Sequence, residues 1–226
     1  MNDVTKAIVV DRLCQQVTDA TGILNILDDV SFTVPVGQSL AITGASGSGK
    51  STLLGLLAGL DQPSGGEVHL LGQSLTQMDE DHRAAFRASH VGFVFQSFQL
   101  LPNLTALENV MLPIELAGKP AEAAANSMLQ RVGLGDRLHH YPSTLSGGEQ
   151  QRVSIARAFV QGPILIFADE PTGSLDAGTG ATIINLMFDL AAQQNTTLVL
   201  VTHDLSLAAR CDRQLVLQGG RMVSCS

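Results

Sequence analysis

The sequence predicts an α/β protein with a core of buried parallel strands, entered through an antiparallel β-rich segment and interrupted by a stretch of helices. Three observations carry this. Two short runs, the uniformly apolar Ile164–Ala168 and Thr197–Val201, read as strands buried on both faces, and each ends in polar residues, Asp169-Glu170 and Thr202-His203-Asp204. The stretch Gly44-Ala45-Ser46-Gly47-Ser48-Gly49-Lys50-Ser51-Thr52 fits GxxxxGK[ST] and joins the apolar run Ser39–Thr43 to leucines at helical spacing, Leu53, Leu54, Leu56 and Leu57. Between residues 97 and 145, helix signals and breakers replace the strand pattern.

Taken in order, the elements follow from local chemistry. From Ala7 to Val36, runs such as Ile8-Val9-Val10 and Val30-Ser31-Phe32-Thr33-Val34 alternate with polar turns, and Pro35-Val36-Gly37 turns tightly into the next strand. An antiparallel sheet leading into the Gly44 loop is expected. After the helix that follows the loop, Asp61-Gln62-Pro63-Ser64-Gly65-Gly66 breaks the pattern, and Glu67–Gly72 reads as a further strand of that sheet. Asp79-Glu80-Asp81 opens a helix to about Ser89, where negative charge favours the dipole, and Val91–Phe95 is a strand ending at Gln96. Thr105-Ala106-Leu107-Glu108 is a capping box. Pro113, Pro120 and Pro142, with Gly118 and Gly133, are expected to divide the helical stretch that runs to about Tyr141. A helix follows Leu145-Ser146-Gly147-Gly148-Glu149-Gln150 through Val160, another spans about Gly178 to Gln194, and Gln214–Leu217, Gly219-Gly220 and Arg221–Val223 form a hairpin. The helical insert, about residues 97–145, is a subdomain able to rotate as a unit within a single domain, 1–226.

Composition narrows the class. With 226 residues, 45% hydrophobic and 15% charged, the chain can bury a sizeable core and is globular. The net charge of −8 argues against a nucleic-acid partner, since such proteins carry a basic face. No apolar run approaches the eighteen or so residues of a membrane span, and Met1–Lys6 lacks a signal peptide's basic and apolar regions, so a cytoplasmic protein is expected. Cys14, Cys211 and Cys225 have no metal-ligand spacing, and their odd number suits a reducing compartment.

The chemistry centres on phosphate. In GxxxxGK[ST], glycines let successive N–H groups turn inward to the phosphates while the helix adds the positive end of its dipole. Lys50 is expected to reach the β- and γ-phosphates, Ser51 to offer its hydroxyl to magnesium, and Thr52 to make a second phosphate contact. Polar residues at strand ends complete the set, as in open α/β sheets. Asp169 suits magnesium, Glu170 is the candidate base that polarises the attacking water, His203 is placed for the γ-phosphate, and Gln96 for the metal or the water.

The loop at Gly44–Ser51, Gln96, Leu145–Gln150, Ile164–Glu170, Ser174-Leu175-Asp176 and His203, in this order, resemble the full motif set of ABC-type ATPase domains across nearly the whole chain. Leu145-Ser146-Gly147-Gly148-Glu149-Gln150 is the most diagnostic, because it separates this family from other phosphate-loop NTPases. The resemblance implies the ABC ATPase fold, a P-loop NTPase (RecA-like) core with an antiparallel β-subdomain and an α-helical subdomain, and an ATPase using ATP and Mg2+. It further implies a head-to-tail dimer in which Ser146, Gly147, Gly148 and Glu149 of one copy close on nucleotide held by the loop of the other. Ser174-Leu175-Asp176 matches the loop that communicates between the sites, and Asp176 also suits the cap of the next helix.

Within the family, Ser97–Val110 and Ala168–Asp176 resemble the lipoprotein-release and macrolide-export (LolD and MacB) branch. That implies a separately encoded integral membrane permease of the MacB/LolCE/YbbP-like type, export or extraction of substrate, and a peripheral position on the cytoplasmic face of the inner membrane. Phe98, Leu100, Leu101 and Leu104 are candidates for the groove that receives a permease helix, or for the subdomain's own core. One departure stands out. The aromatic residue that commonly stacks on adenine in the family is replaced by Val17 in Gln15-Gln16-Val17-Thr18, which implies a looser hold on the base. Chromosome-maintenance ATPases share these motifs but need a long coiled-coil insert, and the 95 positions between Lys50 and Leu145 leave no room for one. ABC proteins acting on ribosomes usually carry two such domains and basic linkers, neither of which is present. A permease-free regulatory ATPase is the alternative.

Overall fold

A computed structural model describes residues 5–19 and 22–225. Four residues of the Met1–Lys6 start, on which the signal-peptide expectation rests, lie outside the described residues. The described chain divides into two compact units, one reaching to Arg87 and resuming at Thr197, the other spanning Ala88–Thr196.

The first unit opens with β1 (Lys6–Asp19) and β2 (Gly22–Pro35), a long antiparallel hairpin. Along β2, Leu27, Val30, Phe32 and Val34 turn inward while polar neighbours face out, the alternation expected of a sheet covered on one side. Irregular register at Arg12 and Asp29, both at positive φ (46° and 53°), bends the ladder. The chain then enters β3 (Ser39–Thr43), buried throughout, and α1 (Lys50–Leu57), whose Leu53, Leu54, Leu56 and Leu57 are all buried. β4 (Gly65–Leu70) and β5 (Gln73–Ser74) complete a four-stranded sheet in the order β2-β1-β4-β5, as the alternating sequence predicts. The helix α2 (Glu80–His90) follows, its Glu80 carboxylate bridging Arg83 at 2.6 Å and Arg87 at 2.8 Å.

The second unit holds β6 (Val91–Phe95), α3 (Ala106–Leu116), α4 (Glu122–Arg131), α5 (Gly147–Phe159), β7 (Leu165–Asp169) and α6 (Ala177–Gln194). Phe159, Phe167, Leu129, Ile155 and Met187 are fully buried in it. Between β6 and α5 the chain forms α3, α4 and turns with no strand among the described residues, and the Thr105–Glu108 capping box is present in full. Pro113 departs from expectation: it lies inside α3 rather than dividing it. The apolar face Ala106, Leu107, Val110 and Ile114 is buried, and this packing outweighs the amide bond that proline removes. The helix ends instead at Ala117, before Gly118 with φ 72°.

The chain returns to the first unit through β8 (Thr197–Val201), the short α7 (Leu205–Ala208), and the hairpin β9 (Arg213–Gln218) and β10 (Arg221–Cys225). There β3 pairs in parallel with both β8 and β9, which explains why Leu40, Ile42, Leu198 and Leu200 are apolar on both faces.

Candidate functional site

In the first unit the Gly44–Thr52 loop leaves the C-terminal end of β3. Gly44 has φ 146°, and a Cβ there would lie 2.2 Å from the Leu217 carbonyl oxygen of β9, so only glycine lets the chain double back. Gly49, at φ 98°, begins α1 with its missing Cβ 2.8 Å from the Ile26 carbonyl of β2. The hairpin turn braces the loop, with Gly220 N–H donating to the Ser48 carbonyl at 3.3 Å. Lys50 folds over the loop's own backbone, its Nζ donating to the Gly44 and Ala45 carbonyls at 2.9 Å each. Ala45, Ser46, Gly47 and Ser51 are exposed, and Thr52 is half-buried. Ser48 Oγ is buried with no hydrogen-bond partner among the described residues. An orphaned hydroxyl, an ammonium and the donor end of a helix together fit a phosphate group.

The register of β3 with β8 pairs Ile42 with Val201, and Thr202 N–H donates to the Ile42 carbonyl at 3.2 Å. The exposed His203 therefore leaves the sheet at the same edge as the phosphate loop. Behind it Asp204 caps α7, and the Ser206 hydroxyl holds its carboxyl below the usual range. Val17 sits opposite Leu24 near the end of the β1–β2 hairpin, and the two are 45% and 61% exposed. The position that the sequence suggests for the base is thus an open aliphatic pair, with Leu24 two residues along β2 from Ile26.

In the second unit, β6 and β7 run parallel with Phe95 opposite Asp169, so Gln96 and Glu170 leave their strands side by side. Glu170 takes φ 45°, and its carbonyl accepts from Gly173 N–H at 3.0 Å. Ser174 Oγ donates to the Gln96 carbonyl at 2.9 Å. Asp176 caps α6 by accepting from Thr179 N–H at 3.0 Å, which lowers its pKa, so the helix-cap expectation holds. Ser146 caps α5, with Gly147 and Gly148 as its first residues. Glu149 completes a capping box, and the bonds from Ser146, supported by Arg137 at 3.1 Å, hold its carboxyl down at about 2.

Among the described residues, no cluster of three or more His, Cys, Asp or Glu side chains could hold a metal. Within the second unit the Asp169 carboxylate and the Gln96 amide end neighbouring strands, and in the first unit Ser51 offers an exposed hydroxyl; each is a donor of the kind magnesium takes, an ion that needs few protein ligands and completes its shell with water and substrate phosphates.

Two structural features escaped sequence reasoning. Arg157 of α5 donates to the Gln99 and Phe98 carbonyls at 2.7 and 3.1 Å, pinning two consecutive residues with positive φ, 50° and 59°. An apolar groove of about 380 Å³ opens beside Phe93, Phe95, Leu112, Pro113, Leu116 and Arg157. Its lining does not include Phe98, Leu100, Leu101 or Leu104; the ring of Phe98 turns instead toward Gly147. The cue available in the sequence was the unbroken apolar face that α3 carries past Pro113.

The sequence pattern of the ABC transporter family matches residues 27–173. The chain belongs to the ABC transporter family. It is an ATP-binding, ATP-hydrolysing subunit of that family, whose members of this kind dimerise and work with a membrane permease. It is 56% identical over 202 residues to the ABC transporter ATP-binding protein YbbA of Escherichia coli (strain K12), covering 88% of this chain and 89% of YbbA. It is 50% identical over 201 residues to the lipoprotein-releasing system ATP-binding protein LolD of Hydrogenovibrio crunogenus, covering 88% and 87% of the two. Among solved structures, the ABC cassette MJ0796, a dimer in a post-hydrolysis state bound to ADP and Pi, superposes with a TM-score of 0.89 at 36% identity over 97% of each chain. Among the described residues, no helix of this ABC subunit is long and apolar enough to cross a membrane.

Proposed function

We propose that two copies of this chain close head to tail on ATP, each completing the other's site, beneath a separately encoded permease of the MacB/LolCE/YbbP-like type. The observation that supports the reading is that one chain holds two different helix starts whose N–H groups suit an anion. They are the Gly44–Thr52 loop and the capped start of α5 at Ser146, Gly147 and Gly148. In the family pattern these face one nucleotide from opposite copies. The dimeric MJ0796 cassette supports the same arrangement.

Each residue then has a role. The loop N–H groups from Gly44 to Gly49 and the Lys50 ammonium bind the phosphates, and Thr52 adds a hydroxyl. Ser51, Asp169 and Gln96 would hold magnesium, which when bound would offset the charge of the phosphates. Glu170 takes the proton of the attacking water, and His203 orients the γ-phosphate. Ser146 to Glu149 of the second copy bind only when the dimer is closed, so ATP favours closure by contacts absent from the open state. Val17 borders the base. The half-buried groove at Leu112 and Leu116 is the proposed seat of an apolar permease segment, and Leu116, 79% exposed, supports that use. Similarity to the lipoprotein-releasing LolD supports export or extraction from a position on the cytoplasmic face of the inner membrane.

The test is Glu170→Gln. It should retain ATP binding, nearly abolish turnover and accumulate an ATP-bound dimer on size exclusion. A monomeric, fully active variant would remove Glu170 from its role. Co-purification of the full chain from detergent extracts with a large integral membrane protein supports the permease; recovery of the chain alone from an intact membrane extract favours the permease-free ATPase.

A further inference from the structure

Gln151 stands on the buried face of α5, five residues beyond the cap Ser146, and is wholly buried. Its Nε2 donates to the Pro171 carbonyl at 2.5 Å and to the Phe95 carbonyl at 3.4 Å. Pro171 follows Glu170 and Phe95 precedes Gln96. One amide therefore clasps both chain segments that carry the hydrolytic residues, from a helix that carries neither. Gln151 Oε1 is buried without a hydrogen-bond partner among the described residues. An orphaned acceptor weakens a fold, so stability alone does not account for an amide at this position.

The backbone held by this amide is strained. Glu170 adopts φ 45° directly before a proline, a neighbour that itself disfavours helical conformations. Such a residue persists only where its surroundings over-determine it. The Gly173 N–H closes the turn on the Glu170 carbonyl, and Ser174 Oγ ties the same loop to the Gln96 carbonyl. A Cβ on Gly173 would lie 2.8 Å from Gln96 Nε2, so loop and side chain are in close contact. Gln151 fixes the near end of this loop and the end of β6 at once.

We propose that Gln151 is a positioning residue for ATP hydrolysis. It holds Glu170 and Gln96 in mutual register and links them to the helix whose start is offered to the second copy's nucleotide. A shift of α5 on closure then reaches the hydrolytic residues of the same chain through one side chain. The inference rests on the roles of Glu170 and Gln96 proposed above.

Two near-isosteric variants of the full chain test it. Gln151→Met removes the donor; kcat should fall on the order of tenfold or more, while ATP affinity, read by fluorescent-nucleotide titration, stays within about twofold. Gln151→Glu supplies a donor only when protonated, and burial between two carbonyls pushes a carboxyl's pKa up. Its turnover relative to the native chain should therefore rise as pH is lowered, whereas the ratio for Gln151→Met stays flat. Native-like kcat in Gln151→Met overturns the proposal, as does an equal, pH-independent loss in both variants accompanied by lower thermal stability. If Gln151→Met does not fold, the pH profile of Gln151→Glu decides alone. Glu170→Gln, measured beside them, separates the failures: full turnover there sinks the underlying roles, while lost turnover there with native turnover in Gln151→Met sinks only this inference.

Discussion

Ser146 and Glu149 cap each other at the start of α5. Glu149 Oε2 accepts from Ser146 N–H at 2.9 Å and from Ser146 Oγ at 2.8 Å, while Ser146 Oγ accepts from Glu149 N–H at 3.3 Å. Two of the N–H donors at the helix start are thereby satisfied, and Ser146, Gly147 and Gly148 are held in place by the chain itself. The bonds from Ser146 lower the Glu149 pKa from 4.5 to about 2. A depressed carboxylate pKa contributes stability that is fully present above the unfolded value and is lost as pH falls through the folded one. The window for Glu149 thus runs from about 4.5 down to about 2. Glu149→Gln keeps the box but not the charge, and should cost about 1 kcal/mol or less at neutral pH. The gap between the native and Glu149→Gln unfolding midpoints should narrow across this window. A gap that is constant with pH would show that the charge contributes nothing.

Asp212 performs a similar task in the first unit. Its Oδ2 accepts from both Ser39 N–H and Ser39 Oγ at 2.7 Å, and Ser39 Oγ accepts from Asp212 N–H at 2.9 Å. The start of β3, five residues before the phosphate loop, is thereby tied to the segment entering β9. The Ser39 N–H bond holds the Asp212 carboxyl below its ordinary value, so this contribution also fades as pH falls. Asp212→Ala should lower stability by about 1 kcal/mol in urea unfolding at neutral pH, with little effect in strong acid. Identical midpoints at neutral pH would contradict it.

The strands, the phosphate loop and the Thr105–Glu108 capping box were legible because each is written in local chemistry. Gly44 and Gly49 are required by backbone geometry, and Thr105 with Glu108 is a short local signal; the matching box of Ser146 and Glu149 emerged only with α5 in place. What escaped depends on distant packing. Pro113 reads locally as a breaker, yet the buried face of α3 carries the helix past it. Gln151 reads as an ordinary polar helix residue, and only the return of β6 and β7 to its side reveals two carbonyls to bind. The groove is assembled from β6, α3 and α5, so no single window of sequence contains it.

Val17 carries a prediction about the base. The exposed Val17–Leu24 pair offers two aliphatic faces where the family commonly offers a ring. An aromatic contact is worth roughly 0.5–1.5 kcal/mol beyond buried area, or about 2- to 12-fold in affinity. Val17→Tyr should therefore tighten ATP binding within that range and raise the ratio of ATP to GTP hydrolysis. An unchanged ratio would mean that the base does not rest against this strand.

A substitution at Ser146 distinguishes a self-sufficient site from the shared one proposed above. The phosphate loop is braced within its own unit by Lys50, Gly220 and β2, so its shape rests on residues of that unit. If Ser146 serves the other copy, a bulky cation in its place obstructs closure and leaves the loop untouched. Ser146→Arg should then bind ATP with affinity within about twofold of the native chain, yet lose turnover on the order of tenfold or more, because closure completes the reacting geometry. Mixing provides the sharper measurement. Glu170→Gln and Ser146→Arg chains combined at equal concentration can form a heterodimer in which one site pairs an intact loop and Glu170 with an intact Ser146. That site should recover turnover absent from either variant alone. Hydrolysis by Ser146→Arg at the native rate, or no recovery on mixing despite heterodimer formation, would count against composite sites.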